Sequence, residues 1–282
     1  MKLASYLVAG RPGYGVVQGA GVVDLTRRLG ARHRDVRALL AADALAEARS
    51  AVAGAAPDYT LADLQLLPVI PNPDKILCVG LNYEAHRVEA GRETTENPTL
   101  FARFAASQVG AGQPLLRPRE STQFDYEAEI AVIIGKAGRR IAAADAWDHV
   151  AGYSCYNDGS VRDWQRHTSQ WTPGKNFPAT GAFGPWMVTA DEIAPDTVMT
   201  LSARLNGLEV QRATTEQMIF KIPALIRYIS TFTTLLPGDV IVSGTPGGVG
   251  SRRDPPLWMR AGDLVEIEID RVGVLRNTIA DD

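Results

Sequence analysis

The sequence predicts a mixed, strand-dominated α+β protein, and three observations support this class. Short apolar or alternating segments, which are typical of strands, recur along the chain. The 26 glycines and 17 prolines supply the turns that would connect such segments. Only two stretches, residues 35–50 and 216–231, place apolar side chains at helical spacing.

The N-terminal part of the chain combines strand-like segments with the first predicted helix. The strand-like segments are 3–8, 13–17 and 21–25. Three prolines in residues 67–74 restrict the backbone to extended conformations, which is typical of a stiff linker. We therefore predict a small N-terminal α/β domain over 1–70 and a larger domain over 71–282.

The larger domain contains most of the predicted strands. They cover residues 75–80, 125–135, 152–157, 201–207, 239–244 and 264–270. The strongest strand pattern is that of 125–135. The predicted helix 216–231 contains Pro223, which must kink or delay it because proline lacks a backbone N–H.

Composition excludes several classes of protein. The chain has 282 residues, 45% of them hydrophobic, with 29 basic and 32 acidic residues and a net charge of −3. This balance argues against disorder and against nucleic-acid binding, and no apolar run reaches the ~18 residues of a membrane helix or resembles a signal peptide. Cys78 and Cys155 are too few for a disulfide scaffold or a cysteine zinc site. We expect a soluble, cytoplasmic protein with no nucleic-acid or membrane partner.

Glu127 and Glu129 form the first candidate site. Side chains two residues apart on a strand share a face, with Cα atoms about 6.5–7 Å apart. That face continues into Ala131 and Ile133, which indicates protein on both sides of the strand. Buried carboxylates are costly unless a cation neutralises them, so this pair favours a site for a hard metal ion.

Glu266 and Glu268 have the same spacing in a different pattern. Here the acids alternate with Val265, Ile267 and Ile269, as on a sheet with one solvent-facing side. We expect these two carboxylates to face solvent.

A metal ion would need at least one more ligand. Residues 157–163 follow a predicted strand, and turns at such positions often present functional groups. Asp158 and Asp163 are both candidates, and turn formation or helix capping would equally explain an aspartate here. Spacing alone does not choose between them.

Five motifs occur along residues 75–280. They are V-G-L-N-Y-E-A-H at 79–86, D-Y-E-A-E at 125–129 with G-K at 135–136, N-D-G-S-V-R-D at 157–163, G-K-N-F at 174–177 and G-T-P-G-G-V-G at 244–250. Each is weak alone. Together and in this order they resemble the fumarylacetoacetate hydrolase family, in particular bacterial members that are acylpyruvate hydrolases or 2-hydroxyhepta-2,4-diene-1,7-dioate isomerases.

The resemblance implies a fold, an assembly and a metal. The fold would be a β-roll of mixed sheets around a buried metal site, with a small N-terminal domain, usually in a homodimer. The resemblance implies Mg²⁺ or Mn²⁺ on Glu127, Glu129 and Asp158, with Ca²⁺ as a substitute, and so favours Asp158 over Asp163. Ligation by oxygen alone suits these ions better than zinc.

The resemblance also implies roles for further residues. His86 and Glu89 would form a catalytic pair, in which the carboxylate orients the imidazole. Lys175 would reach the metal site and stabilise negative charge on substrate oxygens. Gln165 and Thr245 would contact the substrate.

One position departs from the family pattern. Many relatives carry Leu-Phe-x-Lys where this chain has Leu-Phe-Ala-Arg at 100–103. Arg103 keeps the charge but offers a two-pronged donor, which would suit a dicarboxylate substrate.

The four histidines receive different expectations. Residues 166–173 are expected to shape or cover the pocket, and His167 within them is a weaker candidate for a substrate contact. His33 and His149 are expected to be structural. The catalytic role of His86 is implied by the resemblance alone, because its charged neighbours would otherwise indicate a surface histidine.

The expected activity follows from the resemblance. The leading hypothesis is a metal-dependent hydrolase that cleaves a C–C bond in an acylpyruvate-like 2,4-dioxo acid. The alternative is an isomerase or decarboxylase of a 2-oxo or enol dicarboxylic acid that uses the same site. A non-catalytic protein that binds oxo acids is the least favoured interpretation. In each case the partner is a small anionic 2-oxo acid.

Overall fold

The computed structural model describes residues 1–282, and strands outnumber helices. The strands are β1 (Lys2–Val8), β2 (Arg11–Gln18), β3 (Gly21–Asp24), β4 (Tyr59–Thr60), β5 (Gln65–Leu66), β6 (Ile76–Gly80), β7 (Thr99–Arg103), β8 (Gln108–Val109), β9 (Leu115–Arg117), β10 (Phe124–Asp125), β11 (Ala128–Ile134), β12 (Val150–Asn157), β13 (Ser160–Val161), β14 (Gly181–Thr189), β15 (Thr200–Leu205), β16 (Leu208–Thr214), β17 (Val240–Val242), β18 (Leu264–Ile269) and β19 (Gly273–Asp281). The helices are α1 (Leu25–Leu29), α2 (Val36–Ala41), α3 (Leu45–Val52), α4 (Glu84–Glu89), α5 (Arg162–Gln165), α6 (Thr172–Lys175) and α7 (Ile222–Phe232). The predicted strand-dominated α+β class is confirmed.

The strands form one large mixed sheet and two smaller sheets. The large sheet has the order β4-β3-β2-β1-β14-β12-β11-β17-β6-β7, with β5 beside β1 and β8 beside β14. Most of its pairs are antiparallel, but β17 and β6, and β14 and β8, run parallel. A five-stranded sheet has the order β16-β15-β18-β19-β9, and β10 pairs with β13.

Strand β11 lies in the interior of the large sheet, between β12 and β17. All seven of its residues are buried. One face packs into a core shared with β15, β18 and α7, and the other into a core shared with the N-terminal strands and helices. Since protein covers both faces, a carboxylate on this strand has little access to solvent, as its sequence pattern predicted.

The strand predicted over 125–135 is interrupted next to the site. Asp125 ends β10, opposite Ser160, and β11 begins only at Ala128. Between them, the backbone N–H of Glu127 donates to Asn157 Oδ1 at 3.0 Å. The break turns Glu127 toward the end of β12 instead of leaving it in a regular ladder.

The N-terminal segment extends the large sheet, because β1 pairs with β14. The helix predicted over 35–50 is in fact two helices, α2 and α3, since Asp43 adopts a positive φ of 51° between them. Residues 67–74 contain no helix or strand. The domain boundary near residue 70 stays a prediction.

The second predicted helix begins later than its apolar spacing indicated. Residues 215–217 form a 3₁₀ turn, and α7 starts at Ile222, with Pro223 in its first turn. This position suits proline, whose missing N–H has no partner at a helix start. No helix of the chain is both long and apolar enough to span a bilayer.

Candidate metal centre and active site

Three buried carboxylates converge at the end of β11. One carboxylate oxygen from each of Glu127, Glu129 and Asp158 lies within 4.8 Å of the others. The register explains this, because Ala128 on β11 pairs with Asn157 on β12, so Asp158 follows directly beside the two glutamates. Asp163 lies elsewhere, where its carboxylate accepts hydrogen bonds from Ser121 Oγ and the N–H of Trp164.

Three basic side chains neutralise part of this carboxylate cluster. Lys175 Nζ lies 2.7 Å from both Glu127 Oε2 and Asp158 Oδ2. Arg162 Nη2 lies 2.7 Å from Glu127 Oε1, and Arg103 Nη1 lies 2.5 Å from Asp158 Oδ1. Two of the three carboxylates therefore have cationic partners.

Glu129 has no cationic partner and accepts one hydrogen bond, from the N–H of Gly244 at 2.5 Å. Burial raises its pKa well above the ordinary value, and the negative charges of Asp158 and Glu127 add to this effect. Burial would also raise the pKa of Glu127, but Arg162 and Lys175 outweigh it and lower that pKa to about 2. The cluster thus lacks positive charge at Glu129.

A divalent cation fits this cluster. Three converging carboxylates supply the oxygen ligands that Mg²⁺ and Mn²⁺ prefer, and no cysteine or histidine belongs to the group. The ion would provide the charge that Glu129 lacks, since a buried carboxylate without a counter-charge is unfavourable. The ligand set implied by the sequence resemblance is therefore brought together.

Lys175 ends the short helix α6 and is fully buried. Its Nζ also lies 4.9 Å from the ring centroid of Phe101, in a cation–π contact. Burial would lower the pKa of the ammonium, but Asp158 and Glu127 outweigh it and raise the pKa. Lys175 therefore stays charged inside the carboxylate cluster.

His86 and Glu89 form a pair on helix α4. His86 Nδ1 lies 2.7 Å from Glu89 Oε1, and Glu89 Oε2 accepts the N–H of Gly248 at 2.9 Å. Burial would raise the pKa of Glu89, but the hydrogen bonds from His86 and Gly248 lower it overall. With Nδ1 engaged, the imidazole has Nε2 left for proton transfer.

Several of these groups border one cavity of about 720 Å³. Its lining includes the functional side chains His86, Glu127, Glu129, Gln165, Lys175 and Thr245. Most of the 166–173 stretch also lines it, as predicted for a segment that shapes the pocket. The size lies within the ~300–1,000 Å³ that is usual for small-molecule sites.

Two residues predicted to contact the substrate, Gln165 and Thr245, also form hydrogen bonds within the protein. Gln165 Oε1 accepts from Arg162 Nη1 at 3.0 Å, and Thr245 Oγ1 accepts from Gln211 Nε2 at 2.9 Å. Both border the cavity. These contacts fix the orientation of each side chain before a ligand arrives.

Arg103 does not reach the cavity, contrary to the role expected of it. Its guanidinium is fully buried and donates to Asp158 Oδ1, to the carbonyl of Gly159 and to Thr180 Oγ1. Since these partners occupy its donors, the structure places Arg103 behind a metal ligand rather than against a substrate.

The other three histidines lie outside the cavity lining. His167 packs on Trp164, with ring centroids 4.7 Å apart. His33 contacts Glu47, and His149 Nδ1 contacts the carbonyl of Lys136. The last two contacts are structural, as the sequence indicated.

The sequence motifs contained two important residues that were not singled out, Asp125 and Arg162. Arg162 Nε donates to Asp125 Oδ2 at 2.8 Å, while its Nη2 pairs with Glu127. Asp125 also accepts the N–H groups of Gly250 and Ser251. This fully buried aspartate therefore links the carboxylate cluster to the glycine-rich turn.

Comparisons with known proteins agree with this geometry. The family described as "Fumarylacetoacetate (FAA) hydrolase C-terminal" matches residues 75–280. The mitochondrial oxaloacetate tautomerase of Xenopus laevis is 43% identical over 238 residues, or 84% of this chain and 75% of that protein. The mitochondrial oxaloacetate tautomerase of Rattus norvegicus is 41% identical over 264 residues, or 93% and 84%.

Solved structures lead to the same family. Maleylpyruvate hydrolase from Sphingobium sp. SYK-6, in complex with manganese(II) and pyruvate, has a TM-score of 0.83 and 30% identity over 100% of this chain and 99% of that chain. Fumarylacetoacetate hydrolase from Exiguobacterium antarcticum has a TM-score of 0.82 and 29% identity over 100% of both chains. The resemblance found in the five motifs is thus confirmed, and the chain belongs to the fumarylacetoacetate hydrolase family.

Proposed function

We propose that this protein is a divalent-metal-dependent enzyme that interconverts the enol and keto forms of oxaloacetate or a similar 2-oxo dicarboxylic acid. The observation that carries the proposal is that His86, held by Glu89, lines the same cavity as Glu127 and Glu129. Relatives that are oxaloacetate tautomerases, at 41–43% identity, favour tautomerisation over the hydrolysis expected from the motifs.

Glu127, Glu129 and Asp158 would hold Mg²⁺ or Mn²⁺. When bound, the ion would supply positive charge that stabilises negative charge on the oxygen of a 2-oxo or enol group. Lys175 keeps two of these carboxylates in place through its contacts with Glu127 and Asp158. Gln165 and Thr245 offer polar atoms on the cavity wall for the substrate's carboxylate.

His86 would move the proton. Conversion of enol to keto removes a proton from the enol oxygen and adds one to the neighbouring carbon, so no oxidant or further reactant is needed. His86 Nε2 is suited to carry that proton, since Nδ1 is held by Glu89. The Glu89 carboxylate would stabilise the imidazolium that forms during the transfer.

C–C hydrolysis is the second candidate function. The same imidazole would then take a proton from water, and the hydroxide would add to the distal carbonyl of a 2,4-dioxo acid. The bond between that carbonyl carbon and C3 would break and release a carboxylic acid and the enolate of a 2-oxo acid, which would take the proton back from the imidazolium. The similarity to the maleylpyruvate hydrolase from Sphingobium supports this reading. Decarboxylation, the other reaction that the motifs left open, would depend less on His86.

Parallel assays of one preparation separate these reactions. Loss of enol-oxaloacetate would be followed by ultraviolet absorbance with Mg²⁺ or Mn²⁺ and after chelation, beside product analysis by NMR for oxaloacetate and a panel of 2,4-dioxo acids. We expect metal-dependent enol–keto conversion without C–C cleavage. Cleavage of a dioxo acid without faster tautomerisation would favour the hydrolase, and inactivity on every compound would contradict both functions.

The His86→Ala variant tests the proton carrier. We expect a fall in metal-dependent tautomerisation of about 10²–10⁴-fold, the usual contribution of general acid–base catalysis. His33→Gln is the matched control, because His33 contacts Glu47 and does not line the cavity. Equal activity in the two variants would exclude His86 as the proton carrier.

A further inference from the structure

The mouth of the cavity carries arginines that have no acidic partner. Arg92, Arg166 and Arg252 line it, and none of them forms an ion pair with a carboxylate. Arg162, deeper in the cavity, is by contrast paired with Asp125 and Glu127. The mouth therefore holds unneutralised positive charge.

Arg166 is exposed, whereas Arg162 is buried against Glu127. Arg166 is the C-cap of α5, four residues after Arg162, and both side chains line the cavity. Arg162 therefore lies at the carboxylate cluster, and Arg166 lies at the exposed part of the lining. A ligand held at the cluster must extend past Arg162 to reach Arg166.

Arg252 is brought to the same mouth through a shared anchor. It ends the 3₁₀ turn Gly250–Arg252. Asp125 accepts the N–H groups of Gly250 and Ser251 at 2.8 and 2.9 Å, and also pairs with Arg162. One buried aspartate thus fixes both segments that carry the arginines.

The charges of these arginines influence one another. Burial lowers the pKa of Arg166, and the guanidinium groups of Arg162 and Arg252 lower it further. Outside the carboxylate cluster, the lining contains one acidic side chain, Glu93, and three exposed arginines. Positive charge that is gathered and left unpaired in a concave site attracts anions.

We propose that Arg166 and Arg252 bind the second carboxylate of 2-oxo dicarboxylic acids longer than oxaloacetate. This inference rests on the proposed function, in which the 2-oxo end of the substrate lies at the carboxylate cluster. The cavity of about 720 Å³ leaves room for such a chain between the cluster and the mouth. Guanidinium groups are suited to this role because they bind carboxylates in a two-pronged geometry.

Calorimetric binding to the Mn²⁺-loaded protein tests the proposal without a reaction. The probes are pyruvate, 2-oxohexanoate and 2-oxoadipate, of which the last two differ only by a terminal carboxylate. We expect 2-oxoadipate to bind at least about tenfold more tightly than 2-oxohexanoate, the scale of a charged hydrogen-bonded pair. The double variant Arg166→Gln/Arg252→Gln should lose most of that ratio.

Arg139→Gln/Arg140→Gln is the charge-matched control, since both arginines are exposed and lie outside the cavity lining. It should retain the ratio, and circular dichroism should show that all variants are folded. Pyruvate binding without any preference for the diacid, or a preference that survives in the double variant, would overturn the arginine site alone. If pyruvate and both longer acids fail to bind, the proposed function fails, and the arginine site fails with it.

Discussion

Two pairs of glutamates in this chain have the same spacing and opposite surroundings. Glu127 and Glu129 are 4% and 1% exposed and converge with Asp158. Glu266 and Glu268 lie on β18, whose residues alternate between buried and half-buried. There, Glu266 contacts Arg204 and Arg276, and Glu268 contacts Arg204.

The difference shows that two acids at i and i+2 on a strand are buried or exposed according to whether protein covers one face of the strand or both. On β18 the intervening residues are buried, and the side chains of Glu266 and Glu268 are 12% and 45% exposed and pair with arginines. The predicted position facing solvent thus holds for Glu268 and only in part for Glu266. On β11 both faces are buried, so Glu129 is only 1% exposed although it borders the cavity. A carboxylate in that position is tolerated when a cation completes its surroundings.

The largest expected effect is the loss of metal binding in Glu129→Gln. Removing this ligand should lower metal-dependent turnover on the order of a thousandfold or more, because the charge stabilisation supplied by the ion is lost. It should also abolish the rise in Tm on adding Mn²⁺, as measured by calorimetric melting. The metal-free variant should remain folded, since Glu129 has no cationic partner to leave unpaired.

Glu266→Gln is the control for this comparison and should leave turnover unchanged within about twofold. A comparable loss of activity in Glu266→Gln and Glu129→Gln would show that the difference in burial between the two glutamate pairs does not lead to a difference in function. Full activity in Glu129→Gln would remove it from the metal site.

The next largest effect is on stability, in Asp125→Asn. Asp125 is fully buried and accepts bonds from Arg162, Gly250 and Ser251. Breaking a buried ion pair on one side costs about 3–5 kcal/mol, since the remaining charge stays buried without its partner. Urea unfolding should show this loss, whereas Glu268→Gln on the half-exposed pair should lower stability by about 0–1 kcal/mol.

A third effect concerns pH and metal affinity. Burial and two neighbouring carboxylates raise the pKa of Glu129 well above its ordinary value, so we expect the metal-free protein to keep a proton there to higher pH than an ordinary glutamate would. Metal binding must release it, so affinity should rise with pH by up to about tenfold per unit while that proton is displaced. Calorimetry in buffers of different ionisation enthalpy measures the release.

The same measurement on Glu266→Gln should give the parental proton release. Here the hydrogen bonds from Arg276 and Arg204 already lower the pKa of the acid that is removed, and the site lies on another sheet. Binding without proton release in the parent protein would mean that Glu129 is ionised before the metal arrives.

Features of the site that depend on short sequence patterns could be predicted. Strand alternation indicated that Glu127 and Glu129 share a face, and the motif resemblance chose Asp158. The fold class also followed from the sequence. For the second helix, Pro223 left a kink or a delayed start open, and α7 shows the delayed start. These features depend on residues close together in the chain.

Contacts between distant segments could not be predicted in this way. Arg103 and Asp158 are 55 residues apart, and only the folded chain shows that their contact takes Arg103 away from the cavity. Asp125 and Arg162, 37 residues apart, were missed for the same reason. The positive φ of Asp43, which divides the first predicted helix, belongs to a local turn in which the N–H groups of Asp43 and Ala44 donate to the carbonyls of Leu40 and Leu39. The sequence did not reveal this turn, because no glycine marks it. The homodimer and the cytoplasmic location stay predictions.

The smallest expected effect is the loss of stability when the charge of Glu266 on β18 is removed. Hydrogen bonds from Arg276 and Arg204 lower the pKa of Glu266 in spite of some burial, so its charge stabilises the fold at neutral pH. That contribution should fade as pH falls through the lowered pKa, since the protonated acid no longer attracts the arginines. Glu266→Gln should cost at most about 1 kcal/mol in urea unfolding at pH 7 and low salt, and less at high salt. A larger loss of unfolding free energy that salt does not reduce would mean that Glu266 behaves as a buried charge. The two glutamate pairs would then differ less in their surroundings than their exposure indicates.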